Sequence, residues 1–167
     1  EAAHGPATYF ECGTAAGFLC FAEEAVDVAV VEVGLGGRLD STNIVEPLIT
    51  AISAIQLEHT AILGDKIEKI AAENDGIIKP GVPCIVGPQE PDAMDAIERQ
   101  ATKLGAPLIV AGQDFTSTVE DGRLIYRDEA GLLDMDLPVL PGDHQIDNVG
   151  VALAALRPQQ GPRPGPR

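Results

Sequence analysis

A chain of 167 residues with 45% apolar content is long enough for one domain with a proper core and too apolar to be disordered. Its formal charge is −15, and three of its eleven cationic residues (Arg157, Arg163, Arg167) fall in the last eleven positions, so the remainder is more acidic still. A nucleic-acid partner is excluded for want of a basic stripe, and an anionic ligand needs local help from a metal ion or helix N-termini.

The stretch 8–25, TYFECGTAAGFLCFAEEA, spaces Phe10, Thr14, Phe18, Phe21 and Ala22 by three or four, which predicts an amphipathic helix. VDVAVVEVG (26–34) is a β-branched run without alternation and predicts a strand covered on both faces. PLITAISAI (47–55) predicts a second such strand, and DKIEKIAAEN (65–74) a helix capped by Asp65. A third strand is predicted at 82–87, a helix at 91–105 and a fourth strand at 107–112. Strands alternating with helices specify an α/β fold with a mostly parallel sheet flanked by helices. Beyond residue 113, short polar–apolar runs broken by EDG and EAG predict a small antiparallel β addition. HQIDNVGVALAAL (144–156) predicts a last helix, and the Pro/Gly/Arg-rich stretch 157–167 a disordered tail. In sheets of this kind a nucleotide sits at a strand–Gly-loop–helix unit near the start of the fold. This chain opens directly in a helix, so that unit is expected to lie outside it.

Cys12, Cys20 and Cys84 form no CxxC pair and lie in apolar stretches, which predicts small buried hydrophobes. No 18-residue apolar span appears, so a cytoplasmic protein without a membrane partner is expected.

Four stretches could carry chemistry, the first being Glu32 with the glycine loop after it. GLGG (34–37) is followed by RLDSTNIVEP and then a strand, not by the helix that a dinucleotide fingerprint requires, so either the glycines turn the chain or they shape a site. Glu32, a carboxylate in an apolar run at a strand's carboxyl end, needs a cation: Arg38 as a structural bridge, or a metal. His59, just beyond the next strand, is either a loop residue or a partner of Glu32 in a mixed nitrogen and oxygen metal site. Asn74 shares a helix face with Ile67, Ile70 and Ala71, or is an ordinary helix-end residue. GDHQIDN (142–148) could grip a base edge or cap its helix.

Together, VDVAVVEVGLGGRLDSTN, LEHTAILG, IAAENDGIIKPGVP and GDHQIDNVGVALAAL resemble the central ATP-binding domain of folylpolyglutamate and dihydrofolate synthases, in the Mur ligase superfamily. The resemblance runs from about residue 8 to 156, and EVGLGGRLDSTN is its most specific block. It implies a partial central domain over 1–156 with a P-loop-NTPase-like sheet. It also implies an ATP-dependent ligase that adds L-glutamate to folate or dihydropteroate through an acyl phosphate. By that resemblance Glu32 and His59 bind Mg2+, and Asp40 with Arg38 and Asn43 lies near the folate and the catalytic site. Asn148, with Gln145 and His144, lies against the adenine of ATP.

The sequence departs from the family pattern in places. Glu58-His59-Thr60 stands where the family has Asp-His-Thr, and Asn74 stands where it has a carbamylated lysine on a second magnesium. The Gly-Lys-Ser phosphate loop and the C-terminal glutamate-binding domain are not among these residues. The expectation is therefore a ligase fragment, inactive alone and prone to self-association in a family that is mostly monomeric. The alternatives are a non-catalytic homologue acting as a binding protein, or a different Mur-type amide ligase.

Overall fold

The computed structural model describes residues 6–55 and 75–157. The helix predicted at 65–74, the residues His59 and Asn74, and the tail from 158 on lie outside the described residues.

The fold is α/β, as the alternation of patterns predicts. Three parallel strands, β1 (Thr50–Ile52), β2 (Cys84–Val86) and β3 (Leu108–Val110), are ordered β1-β2-β3. Thr50 is opposite Cys84 and Cys84 opposite Leu108, so the three strands run in step. Helix α1 (Tyr9–Glu23) comes first, α2 (Pro91–Leu104) crosses from β2 to β3, and α3 (His144–Leu156) closes the described chain. Between β3 and α3, β4 (Phe115–Glu120), β5 (Arg123–Asp128) and β6 (Gly131–Met135) form an antiparallel meander. Its first turn is Asp121-Gly122, both at positive φ, the two-residue geometry that suits the twist of a hairpin.

Strand β2 is buried throughout, and its alternation sorts two cores. Cys84 and Val86 face Ile97 and Ala101 of α2, with Ile52 and Ile78 beside them. Ile85 points the other way, into a cluster with Phe115, Tyr126, Val151 and Ala154. Helix α3 therefore packs between the parallel sheet and the meander. Gly150 permits the approach: a Cβ there would stand 2.4 Å from Ser117 Oγ and 3.0 Å from Ser117 Cβ. At the far end of α3, Arg157 lies 5.7 Å over the Tyr126 ring, which stacks on Phe115 at 5.9 Å. Arg157 Nε is 2.6 Å from Asp128 Oδ2 but makes no hydrogen bond, so the contact is an ion pair off the N–H axis. Burial, then the Asp128 carboxylate beside it, pushes the Tyr126 hydroxyl up to about 12.

Two expectations are corrected. Residues 26–34 form no strand, because a β-branched run becomes one only when its backbone enters a ladder. Among the described residues the parallel sheet ends at β1, and Val28 and Val30 stand exposed. Helix α1, closed at its start by a Thr8–Glu11 capping box, buries none of its residues. Cys12 and Cys20 are accordingly exposed rather than buried, whereas Cys84 is buried as expected and its thiol is pushed up to about 11 by that burial, with Thr50 opposing.

The α3 contact yields a prediction. Gly150→Ala lowers the unfolding free energy by about 1–3 kcal/mol through overpacking, although alanine is the better helix former. Adding Ser117→Ala recovers part of that loss, a coupling that a urea-denaturation double-mutant cycle measures.

Candidate functional site

The loop from Gly34 to Ile44 is organised by one carboxylate. Asp40 Oδ2 accepts from the Gly34 and Leu35 amides at 3.1 and 2.9 Å. Its Oδ1 accepts from the Thr42 amide at 2.8 Å and the Thr42 hydroxyl at 2.6 Å. Asp40 thus folds the glycine turn back onto the 3-10 turn Ser41–Ile44, which it also N-caps. Burial pushes its carboxyl up, but the Thr42 hydroxyl and amide and the Leu35 and Gly34 amides outweigh this and hold it below the ordinary value. Gly37 is buried inside the turn. Ser41 Oγ lies 3.0 Å from Thr14 Oγ1 of α1, which joins the loop to the first helix.

The other end of the loop is tied to the chain before β2. The Asn43 side-chain amide donates to Arg38 O at 3.2 Å and to Gly76 O at 3.1 Å. Lys79 Nζ donates to Asn43 O at 2.9 Å. Arg38 is exposed and belongs to the same loop. Glu32, two residues before the amides that Asp40 collects, is exposed too, because the run that carries it is not in the sheet. This replaces the expected buried carboxylate: Glu32 has solvent rather than an apolar strand around it. Among the described residues no group of three or more His, Cys, Asp or Glu side chains could hold a metal ion.

A second cluster forms at the start of α3. His144 Nε2 lies 3.0 Å from Gln145 Nε2, and Asn148 Nδ2 donates to Gln145 Oε1 at 3.3 Å. His144 and Asn148 are exposed. The N-cap residue Asp143 makes no side-chain cap, so the polar side chains of this turn bond to one another rather than to the helix end.

Sequence reasoning missed two residues. Gln89 extends the ladder past the end of β1: its Oε1 accepts from Ile55 N at 3.1 Å and its Nε2 donates to Ser53 O at 2.7 Å. Lys79 was visible only as a lone cation after an apolar pair, a signal that something must satisfy it but not what.

No family model matches the chain. The dihydrofolate synthase/folylpolyglutamate synthase of Bacillus subtilis is 43% identical over 128 residues, 76% of this chain. E. coli FolC in complex with DHPP and ADP superimposes with a TM-score of 0.81 at 39% identity, over 90% of this chain. The chain belongs to the folylpolyglutamate synthase/dihydrofolate synthase family. An FPGS–AMPPCP–folate complex gives a TM-score of 0.83 at 34% identity over 89% of this chain. Measured the other way, this chain spans 28% of the length of the Bacillus subtilis relative and 35% and 38% of the two solved chains.

Within this family segment the Asp40 network predicts a pH response. Since the folded-state carboxyl lies below its unfolded value, its contribution is complete above the ordinary carboxylate range. It is lost as pH falls through the depressed folded value. Asp40→Ala costs about 1–2 kcal/mol at neutral pH, as for other lost caps, and flattens the acid limb of stability against pH in urea titrations.

Proposed function

We propose that this chain carries part of the site of an ATP-dependent ligase that joins L-glutamate to folate or dihydropteroate. The carboxylate of the acceptor acid attacks the γ-phosphorus of ATP, ADP leaves, and an acyl phosphate forms. The glutamate amine then attacks the acyl carbon. The resulting tetrahedral intermediate expels phosphate, the amine gives up its proton, and an amide remains. What carries this reading is the family likeness to complexes that hold a nucleotide together with folate or DHPP, at 34–39% identity.

The chain's own residues take roles that suit it. Asp40, whose two oxygens are engaged within its own loop, acts as a positioning residue that sets the path of residues 34–44. Arg38, exposed on that loop, is the cation this reading assigns to the acyl phosphate or the acceptor carboxylate. Asn148, with Gln145 and His144, offers an amide to the adenine edge. Magnesium suits Glu32, whose exposed carboxylate is a hard oxygen ligand open to approach. His59 would be the second ligand in this reading. When bound, the ion neutralises phosphate charge during transfer. The acceptor, glutamate and ATP are the partners, and the cytoplasm is the compartment where this substrate set fits. Among the described residues no helix is long and apolar enough to cross a membrane.

Exposed apolar side chains elsewhere on the described surface support self-association. Tyr9 (97% exposed), Val30 (91%), Val28, Leu19 and Phe10 place apolar area in solvent along α1 and the run after it. Sedimentation velocity is expected to show mass rising with concentration, and Leu19→Glu with Val30→Glu to suppress it; a monomer at every concentration would refute this part.

The ligase reading is tested in a chimera of the Bacillus subtilis relative whose matched segment is replaced by this one. Labelled glutamate is expected to join a dihydropteroate or folate acceptor only with ATP present. Glu32→Ala is expected to lower kcat by at least about a hundredfold, as removal of several kcal/mol of charge stabilisation requires. A chimera without ligation, or one indifferent to Glu32→Ala, overturns the reading.

A further inference from the structure

We infer that Asn43 and Lys79 are positioning residues, forming a clamp that holds the 34–44 loop on the segment 76–79 and so sets where Arg38 stands for the ligase reaction proposed above. The clamp joins parts of the chain 33 to 36 residues apart. Each of its atoms is specified by chemistry. Both hydrogens of the Asn43 amide are used, one on Arg38 O and one on Gly76 O, at 3.2 and 3.1 Å. An aspartate there would set a carboxylate against two carbonyl oxygens, and alanine would leave both without this donor. The half-buried Lys79 commits its ammonium to Asn43 O at 2.9 Å, a charge-assisted bond that fixes the backbone of the residue whose side chain makes the other two.

Gly76 completes the clamp by having no side chain. A Cβ there would stand 2.4 Å from Arg38 Cβ, 2.6 Å from Arg38 Cα and 2.9 Å from Arg38 N, atoms that cannot yield without moving the loop. The backbone of Arg38 therefore rests directly on the 3-10 turn Asp75–Ile77. Asp40 closes the loop on itself, whereas Asn43, Lys79 and Gly76 decide where the closed loop sits.

Hydrogen exchange on the full 167-residue chain reads the clamp, and kinetics of the chimera read its consequence. In Asn43→Asp and Lys79→Met, peptides within 34–43 are expected to exchange about tenfold faster or more, as when a local hydrogen-bonded unit opens. Peptides within 91–110 are expected to keep their rates, and Lys79→Arg to keep the loop protected. In the chimera, Lys79→Met is expected to lower kcat about tenfold or more with KM for ATP within about twofold of the parent, and Lys79→Arg to restore kcat. Unchanged exchange in 34–43 refutes the clamp, and equal acceleration everywhere shows a general structural role instead. A loosened loop with parental kinetics refutes positioning. If the parent chimera itself does not ligate, the ligase reading and the positioning role fall together, while the exchange rates still decide whether the clamp exists.

Discussion

The two main cores of the described fold rest on the burial of β2. Three residues, Cys84, Ile85 and Val86, are sealed from solvent, and successive side chains of a strand point to opposite faces. Cys84 and Val86 require a layer on one side and Ile85 a layer on the other. Helix α2 supplies the first, and α3 backed by the meander supplies the second. The approach of α3 to β4 then depends on Gly150, and the hold of its last turn on Arg157 over Tyr126 beside Asp128. The polar cluster at the start of α3 is where it is because the apolar middle of that helix is pinned.

The loop 34–44 obeys a different logic. It has few apolar contacts to place it, so hydrogen bonds do the placing. One carboxylate gathers two amides from the glycine turn and the amide and hydroxyl of Thr42. One side-chain amide and one ammonium then dock the closed loop on the chain leading into β2. Polar groups at this density leave little room for alternative loop shapes, since each donor or acceptor lost would have to be resatisfied. A site that positions reactants, rather than supplying much covalent chemistry, benefits from such rigidity.

Much of this was legible beforehand, for identifiable reasons. Helix α3 follows its predicted range of 144–156, because its apolar face and polar start are both local properties. The EDG and EAG turns mark the meander since positive φ at Gly122 and Gly131 is a local demand. The run 26–34 shows the limit. Its composition is that of a buried strand, yet pairing is a non-local event, and without a ladder Val26, Val28, Val30 and Glu32 are exposed. Cys12 and Cys20 follow the same rule: the described loop touches α1 only in part, and these two positions stay exposed.

The sequence by itself determined the alternation of strands and helices, the antiparallel addition and the family, through patterns and motifs that need no knowledge of distant neighbours. It also marked Asp40, Arg38, Asn148, Gln145 and His144 as residues worth locating, since polar side chains in turns and helix starts stand out by type. Only the tertiary structure decided that Asp40 turns both oxygens onto its own loop, that Glu32 is exposed, and that Lys79 and Gly76 seat Arg38. The seating of Arg38 depends on groups 33 to 38 residues apart coming within hydrogen-bond or van der Waals reach. That reach is set by packing around β2, and no local pattern encodes it.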